Sequence, residues 1–358
     1  MTNSGLKNLF LTRTTLTEKA SENFLRDDTF RQMIIQRVPR LYLNIKLQNE
    51  LYTHADIDIM NSVRSVKLVG GPILLDSVWI NQVSQISNLI AICFSDVKVE
   101  DISALEGLTK LTYLNLSSTS VLSVSALRSL LNLTQLDLSH TKVSDLEPLT
   151  GLKKLTYLDL SCTHVTDVSA LAGLMNIEYL DVSWTSLSDL SPLAGLTSVK
   201  FISRIDTEVS DVSALKGLTR LEDLYLYDTK VSDVSSFAGL ASLHILGLIS
   251  TRVSNISALA ALTNLVELYL GYTNVSDLSA LAGLINLRDL DVSSERVSDV
   301  SPLAGLISLR DLILKETQVS DVSPLAGLTN LTSLYLWRTE VSYWSAKSLV
   351  APTCTIYI

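Results

Sequence analysis

Leu133 to Lys154 reads LTQLDLSHTKVSDLEPLTGLKK, and Leu155 to Asn176 reads LTYLDLSCTHVTDVSALAGLMN. The two stretches align position for position without a gap. The same unit also begins at Leu89, Leu111, Ile177, Val199, Leu221, Leu243, Leu265, Leu287, Leu309 and Leu331, which makes twelve units spaced by 22 residues. A fixed period of this length marks a solenoid of stacked supersecondary units. Counted from 1 within each unit, positions 1, 4, 6, 11, 14, 17 and 20 are almost always Leu, Val or Ile. One unit alone cannot enclose seven apolar side chains, but a stack of units gives them a continuous core.

Positions 4 and 6, for example Leu136 and Leu138, have the two-residue spacing of a short strand with one buried face. Positions 11 to 20 commonly read V-S-D-V-S-P/A-L-A-G-L. The Ser there suits a helix N-cap, a following Pro such as Pro192, Pro302 or Pro324 suits the first helical position, and Gly suits the stop. Each unit is therefore expected to be a strand, a turn and about one short helical turn.

This pattern resembles the leucine-rich repeat, LxxLxLxxN/CxL, in its 22-residue internalin-like version, from Leu89 to the C-terminus. The resemblance implies a right-handed α/β solenoid, with a parallel β-sheet on the concave face and short helical turns on the convex face. One column departs from the family. Position 9, usually Asn, is Thr in ten units, from Thr119 and Thr141 to Thr317 and Thr339, with Val97 and Glu295 as exceptions. A Thr hydroxyl both donates and accepts with a shorter reach, so a threonine ladder is expected in place of the asparagine one.

The tail continues the register, with Thr353 at position 1 and Ile356 and Ile358 at positions 4 and 6 of a final strand. Upstream, Val63 to Leu68 and Val38 to Leu43 match positions 1 to 6 at irregular spacings. The expected organisation is a helical N-terminal cap over residues 1–37, two irregular repeats over 38–88, and twelve regular repeats with a final strand over 89–358. Arg204 breaks the pattern at position 6, where its neighbours are Val182 and Leu226. An unpaired buried guanidinium is very costly, so a bulge turning Ile205 inward and Arg204 outward is expected. The alternative is a buried ion pair with Asp181 or Asp206.

Composition narrows the function. The chain carries 28 Lys+Arg against 37 Asp+Glu, a net charge of -9, which disfavours nucleic acid. No apolar run is long enough for membrane insertion, and the charged start lacks the layout of a secretory signal. The three cysteines are too scattered for a disulfide framework or a paired zinc motif. These features predict a cytoplasmic protein, or one exported by a signal-independent route.

Positions 3, 5 and 7 alternate with the buried ones and point out from the sheet. They gather Tyr113, Tyr157, Tyr179, Phe201, Asp223, Glu267, Asp289 and Asp311 at position 3. Asp137, Asp159, Asp181, Tyr225, Tyr269, Asp291 and Tyr335 follow at position 5, and Tyr227 and Trp337 at position 7, with Trp184 beside them at position 8. Folding does not require aromatics on that face, whereas a protein-binding surface is rich in them. Asp137, Asp159 and Asp181 should stack about 4.8 Å apart, a like-charge row that a basic partner would relieve. These residues are the candidate surface for a protein partner that is basic and partly apolar. No Asp/Gly calcium loop is present, and neither a metal nor a cofactor is expected.

The chemical alternative is a Cys/His pair, with His140 and Cys162 at position 8 of adjacent units, and His164 and Asp159 close by. No oxyanion hole or phosphate loop accompanies it. The sequence therefore predicts a non-catalytic interaction scaffold. An exported effector or adhesin of internalin type is the alternative, and an enzyme built on Cys162 and His140 is a more distant one.

Overall fold

The computed structural model describes residues 42–44, 65–67, 84, 87–95, 98–205 and 207–358. The helical cap expected over residues 1–37 lies outside them. Among the described residues, fifteen three-residue strands form one parallel sheet in chain order, from β1 (Tyr42–Asn44) and β2 (Ser65–Lys67) to β15 (Thr355–Tyr357). Tyr42 pairs with Ser65, so β1 starts the strand two residues later than the match at Val38 implies.

The register follows from the period. In β5 (Gln135–Asp137), β6 (Tyr157–Asp159) and β7 (Tyr179–Asp181), Leu158 lies between Leu136 and Leu180, and Asp159 between Asp137 and Asp181. The pairing continues past the strand. Leu138 N–H donates to Asp159 O at 2.9 Å, His140 N–H to Ser161 O at 2.9 Å, and Lys142 N–H to Val121 O at 3.0 Å. The backbone groups of one unit are thus satisfied by the units on either side of it. The apolar columns close the interior: Leu155, Leu158, Leu160, Val165, Val168, Leu171 and Leu174 are all fully buried.

The convex turns are 3-10 rather than α-helical, for example Ser169–Leu171, Ser191–Leu193 and Ser213–Gly217. Their capping differs from the expected one. Ser169, Ser191 and Ser213 are the first residues of their turns, and the acceptor is the Asp two residues earlier. Asp167, Asp189 and Asp211 take the Ser N–H at 2.7, 2.7 and 2.8 Å. These hydrogen bonds hold the Asp189 and Asp211 carboxyls below their ordinary range. Glycine is not the conformational stop either, because no described glycine has positive φ.

The left-handed residues sit instead at position 8, where nine non-glycine residues from Ser118 to Arg338 have φ between 53 and 58°. That turn is closed by the threonine column. Thr119, Thr141, Thr163, Thr185, Thr229, Thr251, Thr273, Thr317 and Thr339 each donate to the position 6 carbonyl of their own unit, at 2.6 to 2.8 Å. The shorter side chain secures its own turn rather than the next one. Cross-unit amide bonding appears on another column: Asn132, Asn176, Asn264, Asn286 and Asn330, at position 22, donate to the position 21 carbonyl of the preceding unit.

Arg204 overturns the bulge expectation. Its side chain is fully buried, while Ile205 is half-exposed. No ion pair joins it to Asp181, and Asp206 lies outside the described residues. The strand residues around it, Phe201–Ser203, keep the register of their neighbours, so the uninterrupted period holds position 6 inward even when it carries a charge. At the far end, an α-helix, α1 (Tyr343–Leu349), takes the place of the 3-10 turn, with Ser342 accepting the Ser345 N–H.

Replacing Thr163 by the near-isosteric Val is expected to cost about 1–3 kcal/mol by leaving a buried carbonyl unpaired. The exposed Thr219→Val should stay within about 0.5 kcal/mol. Ser250→Gly, at a left-handed position, should stabilise by roughly 0.5–1 kcal/mol. Thermal and urea unfolding of the three variants checks all of these.

Candidate functional site

The outward residues of the sheet are closer packed than freely exposed side chains would be. In the first half of the sheet, Tyr157, Tyr179 and Phe201 occupy the same position in successive strands, and their rings stack face to face. The centroids are 4.3 Å apart in both pairs, with interplanar angles of 10° and 6°. Stacking covers the ring faces, so Tyr157, Tyr179 and Phe201 are half-buried and present their edges. Tyr113, on β4 (Tyr113–Asn115), is half-buried in the same column two rungs before Tyr157, with Gln135 between them. Burial raises the Tyr113 and Tyr157 phenols far above their ordinary value, so both are neutral hydroxyls.

Beside the rings run Asp137, Asp159 and Asp181. Each carboxylate is held by the Ser two residues on. Asp137 Oδ1 accepts Ser139 N–H at 2.9 Å and its hydroxyl at 2.7 Å. Asp159 Oδ1 accepts the same pair of donors from Ser161 at 2.9 and 2.6 Å, and Asp181 Oδ1 accepts Ser183 N–H at 2.8 Å. Asn115 fills the same role at the head of the row, taking both donors of Ser117 and donating to Asp137 at 2.7 Å. Burial, followed by the charge of Asp159, pushes Asp137 up to about 6. Burial is also the main cause for Asp181, at about 6, and for the raised Asp159. The serine donors oppose these shifts without cancelling them.

The second half of the sheet is arranged differently. Tyr225 tilts against Phe201 and meets Tyr227 edge to face, both at 5.7 Å. Tyr227 lies across Gly247 of the next strand, where a Cβ would sit 2.2 Å from the ring. Gly247 is therefore what seats that aromatic. Asp223, Glu267, Asp289 and Asp311 are half-buried at position 3, and Tyr269 donates its hydroxyl to Glu267 at 2.8 Å. Burial and the adjacent Asp311 push Asp289 up to about 6. Asp291 repeats the Asp–Ser arrangement with Ser293 at 2.9 and 2.5 Å, and its carboxylate leans over Gly271.

Toward the end of the sheet the acidity gives way. Lys315 lies over the Tyr335 ring at 5.2 Å, Arg338 lies over Trp337 at 4.6 Å, and Tyr335 stacks on Tyr357 at 4.4 Å. Trp184 and Trp337 are more than half exposed, at 55% and 51%. The structure thus joins Tyr157, Tyr179, Phe201, Tyr225 and Tyr227 to the three-carboxylate row as one surface. It sets Glu267, Asp289, Asp291 and Asp311 apart as a second acidic patch and leaves Trp337 in a mixed aromatic and basic end. The sequence reading missed Ser139, Ser161, Asn115 and Gly247, although the Asp-x-Ser spacing, repeated in one column, was the available signal for the first two.

The Cys/His alternative meets a chemical obstacle. His140 is exposed, and burial together with Asp159 and Asp181 raises the Cys162 thiol. A nucleophilic cysteine needs the opposite shift. Among the described residues no cluster of three or more His, Cys, Asp or Glu is arranged to hold a metal. No helix among them is long and apolar enough to cross a membrane.

A family model of leucine-rich repeats (two copies) matches residues 131–173 and 263–305. Among curated proteins none matches. An internalin (inlF) from Listeria monocytogenes is 29% identical, with a TM-score of 0.78 over 84% of this chain and 88% of the internalin. Internalin C2 from the same organism is 32% identical over 54% of this chain and 84% of its own, with a TM-score of 0.51. The plant peptide hormone receptor RGFR1, solved in complex with RGF2, shares the fold at 16% identity and a TM-score of 0.63, over 85% of this chain and 54% of the receptor. With an unbroken 22-residue period, a parallel concave sheet and 3-10 turns behind it, the chain belongs to the leucine-rich-repeat proteins of the internalin-like type.

Proposed function

We propose that the chain is a non-catalytic scaffold that binds a protein partner on its concave face. The partner presents a basic and partly apolar surface. The observation that carries this reading is the in-register row of Asp137, Asp159 and Asp181 beside the stacked Tyr157, Tyr179 and Phe201. Like charges on adjacent strands destabilise a sheet, and a cationic partner removes that repulsion as it docks. The ring edges and phenol groups supply apolar area with little loss of side-chain freedom, as binding aromatics do. The raised Cys162 thiol supports the non-catalytic part of the proposal. The likeness to two Listeria internalins supports a second reading, an exported adhesin or effector, which uses the same surface. The organisation into a cap through residue 37, two irregular repeats over 38–88 and a regular array from Leu89 belongs to this proposal too.

Three variants test it once a partner is captured. Tyr225→Ala should lose about 2 kcal/mol or more of binding free energy. The triple change Asp137/Asp159/Asp181→Asn should slow association, with an effect that fades as salt rises. Lys216→Ala, exposed on the convex side, should leave affinity unchanged. If titration calorimetry finds that only the Lys216 change weakens binding, the concave reading is wrong.

The carboxylate row also makes a pH prediction. Its folded-state values lie above those of an unfolded chain, so the folded state binds more protons between about pH 4 and 6. Stability should therefore rise as pH falls from neutrality through about 6, while affinity for a basic partner falls over the same interval. Asn115 shows that an amide keeps the serine turn. The triple Asn variant should accordingly unfold at a higher temperature than the parent at pH 7 and lose that advantage near pH 4, which thermal scans across pH will show.

A further inference from the structure

Arg204 occupies position 6, the column that Val182 and Leu226 fill in the adjacent units, and all three side chains are fully buried. Its Nε, Nη1 and Nη2 have no hydrogen-bond partner among the described residues, and neither does the Thr207 hydroxyl three residues later. Thr207 differs from the other nine threonines of its column, each of which donates to the position 6 carbonyl. Among the described residues, the buried side-chain donors without a partner thus belong to Arg204 and Thr207 alone. Asp189 is the carboxylate whose field favours the Arg204 charge, but it already accepts the Ser191 N–H and hydroxyl at 2.7 and 2.8 Å. Burial lowers the guanidinium to about 9, which leaves it a cation at neutral pH.

A buried charge that stays ionised needs a counter-charge as well as hydrogen-bond acceptors. We propose that Arg204 and Thr207 form an internal binding site for a small monovalent inorganic anion of the chloride class. One positive charge enclosed by apolar columns sets the valence, since a dianion would leave a net negative charge in the core. Full enclosure sets the size, because the side chain has no exposed surface from which to reach a bulky oxyanion or a peptide carboxylate. A spherical anion accepts from several donors without directional lone pairs, which suits a guanidinium fork and a hydroxyl (five N–H groups and one O–H in total). The site stands apart from the concave surface and does not depend on its function.

The test uses the full chain, exchanged into sodium gluconate and titrated with sodium chloride at fixed ionic strength and pH 7. The unfolding midpoint should shift upward and saturate, as ligand binding to the native state requires. The shift should disappear in Arg204→Leu, which places in this column the residue found in most other units, and shrink in Thr207→Val. Crystals grown in sodium bromide should show an anomalous peak within hydrogen-bonding reach of the guanidinium. Equal midpoints in the two salts, a chloride shift that survives in Arg204→Leu, or bromide crystals without a peak at Arg204 would each overturn the proposal.

Discussion

The backbone hydrogen bonds between units are the constraint on which the rest of the molecule depends. Strand pairs such as Leu158 with Leu136 and Leu180, and the bonds from Leu138, His140 and Lys142 to neighbouring units, tie each 22-residue turn to the next at many points. Inserting a residue within a strand or the paired turn after it would break that pairing and push the unit's side chains out of their columns, whereas Ser65 pairs with Ala91 across 26 residues, so the sheet itself tolerates a longer unit. The constant period from Leu89 keeps each position in its column. It also explains why side chains that are locally unfavourable are retained: nine non-glycine residues accept positive φ at position 8, and Arg204 accepts burial at position 6.

The same constraint builds the concave surface. Because the register holds, the residue at position 3 or 5 of one strand lies beside the residue at the same position of the next. Phenyl rings placed there stack, and carboxylates placed there repel. The serine two residues after each Asp moderates the repulsion by donating to the carboxylate, while partial burial keeps the row above the ordinary carboxylate range. The result is a row held rigidly by its own turns and flanked by ring edges. Rigidity and unsatisfied charge are what a pre-organised docking surface requires. The C-terminal part of the sheet is less one-sided, since Lys315 and Arg338 already lie over Tyr335 and Trp337.

Much of this was legible in the residues. Leucine columns at a fixed period dictate a stacked core, and the alternation around positions 4 and 6 dictates which side chains leave it. The failures came where spacing does not identify the acceptor. Asp at position 13 and Ser at position 15 are both regular columns, and only geometry shows that the Asp carboxylate caps the turn while the Ser supplies the N–H. The threonine column was recognised, but whether a short hydroxyl reaches its own turn or the next depends on a fraction of a residue length. The period alone assigns the asparagines at position 22 no structural role, and they carry the cross-unit bonding. Arg204 was assigned to solvent because a buried guanidinium is expensive by itself, whereas the unbroken register on both sides leaves it no outward path. The concave aromatics were identified, but stacking buries the ring faces that the sequence left exposed.

Hydroxyl-radical footprinting of the chain, alone and saturated with a captured partner, tests the central claim most directly because it reads side-chain exposure residue by residue. If the concave face docks the partner, Tyr157, Tyr179, Tyr225 and Tyr227 lose reactivity on binding, while Met175 and Ile307, exposed away from the sheet, keep theirs. Protection of Met175 and Ile307 with unchanged concave tyrosines would contradict it.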